Sequence, residues 1–120
     1  MTARPGTKLL FRRGDVVLVP FPFADRLAEK QRPAVVVSTG GYQAASGDVI
    51  IAQLTSRVNA PPRPGDHALV DWRGAGLPLP TLARARVTTV HVSRVRKRLG
   101  TLAAGDLRSV DQGLRTALAL

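Results

Sequence analysis

The chain has 120 residues, no cysteine and a formal net charge of +10. This length is typical of one domain, and the lack of cysteine excludes a disulfide framework and thiolate metal sites. No apolar run approaches the ~20 residues that a membrane span requires, and no secretory signal pattern is present. We therefore expect a cytoplasmic protein without a membrane partner. Of its 18 basic residues 15 are arginine, which binds phosphate bidentately, so a polyanionic partner is favoured over mere solvated surface charge.

Five segments have the composition of short β-strands. Three of them are β-branched runs bounded by Gly or Pro, which predict buried strands: DVVLVPF (Asp15–Phe21), AVVVS (Ala34–Ser38) and VIIAQL (Val49–Leu54). Two more segments, His67–Trp72 and Leu82–Val90, alternate apolar and polar residues as half-exposed strands do. The sequence therefore predicts about five antiparallel strands.

The connections and the C-terminal segment complete the expected architecture. The glycine-rich stretch Gly40–Gly47 predicts a tight return, and the proline-rich stretch Asn59–Gly65 predicts a projecting loop. Apolar residues then recur at helical spacing, with Asp106 near the positive end of the predicted helix. They are Leu107, Val110, Leu114 and Leu118. We expect a single, mostly β domain spanning residues 1–120, a small curled barrel covered by a C-terminal helix.

Arg32 is the first candidate functional residue. It directly precedes Pro33, whose ring disfavours the helical region for the preceding residue and so holds Arg32 extended at a strand entrance. A guanidinium held on a rigid strand end is suited to binding a phosphate, because its ordering entropy has already been lost in folding. The alternative is that Arg32 pins its own loop by pairing with Glu29 or Asp25.

Two further polar clusters follow strands. In the first, a strand ends in Thr55, Ser56 and Arg57, although hydroxyls at strand ends also cap turns. In the second, Arg84 and Arg86 share one face of a predicted strand, although a solvated strand face is the simpler explanation there. Both clusters are compatible with binding phosphates.

Five blocks of the sequence, in order, resemble the PemK/MazF-like toxins of bacterial toxin–antitoxin pairs. They are RRGDVVLVPFPF, KQRPAVVVS, DVIIAQLTSR, the GLP…TLARARVTTV stretch, and a closing RLGTL followed by the predicted helix. The resemblance implies an SH3-like β-barrel homodimer that cleaves single-stranded RNA sequence-specifically, an mRNA interferase, without a metal or another cofactor. It also implies a small cognate antitoxin that occludes the RNA groove.

The resemblance assigns roles to particular residues. Arg32 matches the catalytic arginine, Thr55 or Ser56 matches the strand-end hydroxyl, and Arg84 matches a second arginine unless a register slip places alanine there. Leu27 stands where other members carry an acid, so Glu29, or Asp25 in its place, is the candidate general base. The RNA-binding candidates are Phe23, Lys30, Gln31, Ser56, Arg57 and Arg86. Other members carry an Arg-x-Asp pair on the strand where this chain reads Arg84-Ala85-Arg86, so that the acid of that pair is absent.

The chemistry implied is attack of the substrate's own 2′-hydroxyl on the adjacent phosphate, which leaves a 2′,3′-cyclic phosphate and a 5′-hydroxyl. The protein must position the groups in line, stabilise charge on the phosphorane oxygens and move protons. Arginines can supply the charge, with Glu29 as the base. A two-histidine mechanism would need His67 and His91 to converge.

Two other functions remain open from the residues alone. A basic barrel with Tyr42 and Trp72 could bind nucleic acid by stacking without any chemistry, although only 4% of the residues are aromatic. A toxin homologue whose catalytic activity has decayed would account for the missing acid. Incubation with RNA in EDTA separates cleavage from binding.

Overall fold

The computed structural model describes residues 10–20 and 30–120. Six strands are assigned, and they form one antiparallel sheet in the order β4-β5-β3-β2-β1-β6, curled into a half-barrel. The strands are β1 (Asp15–Pro20), β2 (Gln31–Val36), β3 (Asp48–Thr55), β4 (His67–Ala68), β5 (Leu82–His91) and β6 (Lys97–Thr101). The helices are α1 (Gly40–Ser46), a 3₁₀ turn (Val92–Arg94) and α2 (Ala104–Leu118). The predicted mostly β fold with a C-terminal helix is confirmed.

The central strands are nearly continuous apolar runs because both faces of the curled sheet are buried. One face contributes Val16, Val35 and Leu54 to a cluster that α2 covers through Val110. The opposite face contributes Val17, Val19, Ala34, Val36, Val49 and Ile51 to a second cluster with Phe11 and Val92. Alternate residues of one strand therefore enter different cores.

The C-terminal helix is held near its start and at its middle by charged groups. Near its start, the buried Asp106 carboxylate accepts hydrogen bonds from the amides of Val70 and Asp71, each at 2.9 Å, and pairs with the His67 ring at 2.8 Å. Burial raises the pKa of Asp106, but these two amides and His67 together lower it more, so that its pKa lies below the ordinary 3.8. In the third turn, Asp111 pairs with Arg13, which also donates to the Val37 carbonyl.

Three sequence predictions about individual elements are wrong. Gly40–Gly47 is not a simple tight return, because Gly40–Ser46 forms α1, capped by Thr39 and ended by Gly47 in the left-handed region (φ 79°). The predicted strand His67–Trp72 shrinks to His67–Ala68, because Asp106 takes the amide hydrogens of the residues that would extend it.

The third error is the omission of β6, which pairs with β1 at the edge of the sheet. Its sequence, KRLGT, is mostly charged or exposed and carries no alternating apolar signal. The predicted helical stripe is largely confirmed: Leu107, Val110 and Leu114 pack on the core, whereas Leu118 is half exposed.

Candidate nucleic-acid interface

The candidate site begins where one buried face of the sheet turns polar. On β2 and β3 the register pairs Ala34 with Gln53, and the same face carries Arg32 and Thr55 one alternation further along. Arg32 is exposed, and Gln53 and Thr55 are partly buried. The second apolar cluster thus continues into a polar strand end, where an arginine, an amide and a hydroxyl lie on rigid backbone.

A β-bulge opposite Gln53 brings two further arginines to this end. Ala52 of β3 pairs with Val87 of β5, and the next pair is Leu54 with Ala83. One residue of β3 therefore lies opposite three residues of β5, so that β5 holds two extra residues. The residues facing Gln53 are therefore Arg84, Ala85 and Arg86. Bulges redirect side chains and are frequent next to functional sites.

Arg84 is bound to the loop that follows β3. Its side chain is only 9% exposed and donates to the Pro61 carbonyl at 2.9 Å. It also lies 3.3 Å from the carboxylate of Asp66, itself only 8% exposed. The same Asp66 carboxylate accepts a hydrogen bond from the Arg63 amide. An acid therefore pairs with Arg84 in space, although it comes from the loop at residues 57–66 and not from β5.

The end of that loop packs between α2 and β5, because Gly65 contacts both Gly113 and Ala85. A Cβ placed on Gly113 would lie 2.3 Å from the Gly65 carbonyl oxygen, and Gly65 itself has a φ of +92°. Both positions therefore require glycine, Gly113 for space and Gly65 for its backbone conformation as well. Close backbone packing fixes where the loop stands over the sheet.

These elements enclose a pocket of about 420 Å³, which we call the arginine pocket. Its lining consists of Arg32, Arg57, Arg63, Arg84 and Arg86, with Gln53, Thr55 and Ala60–Pro62. No acidic residue of the described chain lines it. Five guanidinium groups around one concavity produce a strongly positive potential, which attracts phosphate and other anions.

A second pocket of about 490 Å³ adjoins the first and shares Arg32, Gln53, Thr55 and Arg57 with it. The remainder of its lining is mostly apolar, and we call it the apolar pocket. It includes Leu18, Pro33, Leu54, Leu77, Pro78, Leu79 and Leu99. A row of polar side chains at the strand ends therefore separates a cationic pocket from an apolar one.

The structure brings together most of the residues that the sequence singled out. The arginine pocket contains Arg32, Thr55, Arg57, Arg84 and Arg86, and Ser56 lines the apolar pocket. Lys30 and Gln31 immediately precede Arg32 but line neither pocket. Glu29 and Phe23 lie outside the described residues, as do Phe21 and Asp25. Their predicted roles stay predictions.

The Thr55 hydroxyl also has a structural role, as expected for a hydroxyl at a strand end. Its oxygen accepts a hydrogen bond from the Arg57 amide at 3.2 Å. That bond uses a lone pair and leaves the hydroxyl hydrogen for a ligand oxygen. Turn capping and phosphate binding by Thr55 are thus compatible.

Sequence reasoning missed Gln53, Arg63 and Asp66. A signal existed for Gln53, because it is the single amide within the otherwise apolar run Val49–Leu54. For Arg63 and Asp66 no local signal existed, because their position over the sheet depends on contacts with β5 and α2.

The two histidines and Trp72 contribute little to this site. His67 pairs with Asp106, whereas His91 pairs with Ser93, and their strands place them at opposite ends of β5. The two-histidine arrangement therefore does not form. Trp72 packs against the core with the Arg73 guanidinium 4.7 Å from its ring centroid, so its face is occupied by the chain's own side chain.

Within residues 10–20 and 30–120, no group of three or more His, Cys, Asp or Glu residues is arranged to hold a metal ion. In the same part of the chain, no helix is both long and apolar enough to cross a membrane.

A curled antiparallel sheet, a helix across one face and an arginine pocket at the strand ends define a small, basic half-barrel domain with an anion-binding surface. Residues 12–118 match the family described as "PemK-like, MazF-like toxin of type II toxin-antitoxin system". The chain belongs to this family. No curated protein matches it at a significant level.

Solved structures share the fold. An endoribonuclease in complex with its cognate antitoxin, from a mycobacterial species, is 22% identical with a TM-score of 0.72, covering 91% of this chain and 95% of its own. MazF from Deinococcus radiodurans is 24% identical with a TM-score of 0.73, covering 94% and 100%. The Mycobacterium tuberculosis toxin MazF-mt6 is 18% identical with a TM-score of 0.70, covering 88% and 97%.

Proposed function

We propose that this protein is the toxin of a type II toxin–antitoxin system and acts as a cytoplasmic, sequence-specific endoribonuclease on single-stranded RNA. The observation that carries the proposal is the arginine pocket, which five arginines and Thr55 line where rigid strands meet the loop at residues 57–66. Family membership supports the toxin assignment, and the neighbours described as endoribonucleases support the activity. We treat residues 1–120 as one toxin domain.

In this proposal the RNA supplies its own nucleophile, the 2′-hydroxyl next to the scissile phosphate. Arg32 stabilises the charge that develops on the phosphorane oxygens, and the Thr55 hydroxyl donates to one of them. Arg57 and Arg86 bind the flanking phosphates. The products carry a 2′,3′-cyclic phosphate and a 5′-hydroxyl, and no metal takes part.

Arg84 has a different role from the one that the family resemblance suggests. Its guanidinium is nearly buried and already bonded to Pro61 and Asp66. We assign it to positioning the loop at residues 57–66, which carries Arg57 and Arg63 into the pocket. Removal of the 2′-hydroxyl proton remains assigned to Glu29, the acid nearest to Arg32 in the sequence, and the leaving 5′-oxygen takes its proton from water.

Two protein partners complete the proposal. The first is a cognate antitoxin, supported by the neighbours solved as toxin–antitoxin complexes. Its acidic residues would bind the arginine pocket while its apolar side chains enter the apolar pocket, which excludes RNA by competition. The second is another copy of the chain, since the resemblance implies a homodimer. Light scattering at micromolar concentration tests the dimer, and a monomer would refute it.

The test of the activity is cleavage of a long single-stranded RNA in the presence of EDTA. We expect discrete fragments with cyclic phosphate ends, and Arg32→Ala should abolish them. Because Arg32 is exposed, its removal should change the free energy of unfolding by less than ~1 kcal/mol. Arg108→Ala, which removes the same charge from the exposed surface of α2, is the matched control and should cleave normally.

Three outcomes would count against parts of this proposal. A mobility shift without fragments would identify a binding protein without chemistry or a decayed toxin. Cleavage that requires added metal would refute the metal-independent mechanism. Unfolding of the Arg32→Ala variant would show that Arg32 holds its own loop in place.

A further inference from the structure

Gln53 occupies an unusual position for a neutral polar side chain. It lines both pockets, between Arg32 and Thr55 on one side and the bulge of β5 on the other. Its side-chain oxygen Oε1 is buried and has no hydrogen-bond partner. An unsatisfied buried acceptor costs roughly 1–3 kcal/mol, so natural structures retain one mainly where it has a use.

The bulge leaves a donor unsatisfied as well. The Nε of Arg84, which faces Gln53 across the sheet, is buried without a partner. One unpaired acceptor and one unpaired donor therefore lie on adjacent strands at the same pocket. The terminal torsion of a glutamine is broad, so that rotation of the Gln53 amide can direct Oε1 into the pocket.

The remaining side chains determine which ligand edge fits. The arginines offer donors only, and Gln53 and Thr55 are the residues of the described lining whose side chains can accept a hydrogen bond. Phosphates satisfy arginines but offer no hydrogen to Gln53 Oε1. A ligand group that presents a carbonyl oxygen next to an N–H satisfies both.

Among nucleobases, that pattern is the lactam edge of guanine and uracil, in which a keto oxygen lies beside a ring N–H. Adenine and cytosine present the reverse pattern, an amino group beside a bare ring nitrogen, which places a donor against the arginines. Single-stranded RNA exposes these edges, because its bases can be splayed out of the stack. A volume of about 420 Å³ lies within the range of small-ligand sites, ~300–1,000 Å³.

We propose that Gln53 is a specificity-determining residue that reads the lactam edge of one keto base, guanine or uracil, bound in the arginine pocket beside the scissile phosphate. Oε1 accepts the ring N–H, while the unpaired Nε–H of Arg84 donates to the keto oxygen and its bonds to Pro61 and Asp66 remain in place. The inference rests on the proposed RNA-cleaving function and identifies the substrate feature that the same site selects.

The test uses fluorescence anisotropy with short 2′-O-methyl oligoadenylates, which cannot be cleaved, each carrying one central guanine, uracil or cytosine. We expect the oligonucleotides with guanine or uracil to bind roughly 10-fold more tightly than those with cytosine or adenine. Gln53→Leu, which keeps the side-chain size but removes the acceptor, should bring these ratios close to one. The weaker binding to cytosine and adenine should remain unchanged.

A chemical counterpart of the substitution separates base reading from a structural effect. Replacing the keto base by 1-methylguanine or 3-methyluracil removes the ring N–H and should weaken binding to the original protein as much as Gln53→Leu does. Combining the methylated base with Gln53→Leu should add no further loss, because both changes delete the same hydrogen bond. Gln112→Leu, the same substitution on the exposed face of α2, should leave every ratio unchanged.

Each result bears on the inference. A uniform loss across all bases in Gln53→Leu would identify a phosphate or structural role and overturn it, as would an adenine or cytosine preference of the original protein. If the protein cleaves long RNA with a base preference that Gln53→Leu leaves unchanged, the inference fails and the proposed function stands. If the protein neither binds nor cleaves RNA, both fail.

Discussion

The pairing of Arg84 with Asp66 is the feature of the site that mutagenesis can test most directly. Both side chains are nearly buried, at 9% and 8% exposure, and they join β5 to the loop at residues 57–66. Removing one partner of a buried ion pair costs about 3–5 kcal/mol, because the remaining charge is left uncompensated. Two contacts survive in Asp66→Asn: the Arg84 bond to the Pro61 carbonyl and the acceptor for the Arg63 amide.

These surviving contacts reduce the expected cost. We expect Asp66→Asn to lower the free energy of unfolding by ~2–3 kcal/mol, and the Tm by about 10 °C for a domain of this size. Urea denaturation measures the first quantity and a thermal melt the second. Asp71→Asn is the matched control: Asp71 is exposed and accepts from the Gly74 amide, and the change should stay within about 0.5 kcal/mol.

A double-mutant cycle with Arg84→Met isolates the pair. The double variant should be less destabilised than the sum of the two single variants, by about 2 kcal/mol, because removing the second charge eliminates the uncompensated one. Asp66→Asn and Arg84→Met should also slow RNA cleavage together if Arg84 positions the loop. Additive costs, or a full cleavage rate in Asp66→Asn with none in Arg84→Met, would refute the positioning role.

Three further predictions concern other parts of the molecule. Because the pKa of Asp106 is lowered in the folded protein, its contribution to stability is present above about pH 3.8 and is lost as the pH falls through its folded value. Acid should therefore destabilise the original protein more steeply than it destabilises the Asp106→Asn variant. Equal pH profiles in urea titrations would contradict this. A plot of log binding constant against log salt concentration for non-cleavable RNA should have a slope of about −3 if four pocket arginines contact phosphates. Arg57→Ala should reduce the magnitude of that slope by ~0.7. A binding constant that does not change with salt would count against the pocket. Gly113→Ala places a Cβ 2.3 Å from the Gly65 carbonyl oxygen and should destabilise the protein by ~1–3 kcal/mol. Gly105→Ala, where the nearest neighbouring atom is 3.7 Å from the new Cβ, should instead stabilise α2 by up to ~1 kcal/mol. Thermal melts of the two variants that shift in the same direction would contradict this packing argument.

The sequence by itself determined the elements whose signal is local. Successive residues are apolar in Val16–Val19, Ala34–Val36 and Val49–Ala52 because both faces of the sheet are buried, so composition alone identified β1, β2 and β3. The helical spacing of Leu107 and Val110 likewise predicted α2. Arg32 could also be singled out, because Pro33 restricts its backbone through a covalent neighbour.

Local signals failed where short elements depend on distant partners. The paired glycines at Gly40 and Gly41 gave no sign of the helix α1. Its buried residue is Gln43, whose side chain accepts a hydrogen bond from the amide of Phe11, 32 positions away. The strand at Lys97–Thr101 has little apolar periodicity and exists because the edge of β1 pairs with it. In both cases the stabilising interaction lies outside the window from which a prediction can be made.

Only the tertiary structure decided how the site is assembled. The bulge that places Arg84 and Arg86 opposite Gln53 is a property of strand register, which no single strand encodes. The pairing of Asp66 with Arg84 requires the loop to be held by the contact of Gly65 with Gly113, far along the chain. The residue types of the site could thus be identified from the sequence. The direction of each side chain could not, because it depends on the backbone from which the side chain projects, and that backbone is fixed by pairings between distant segments.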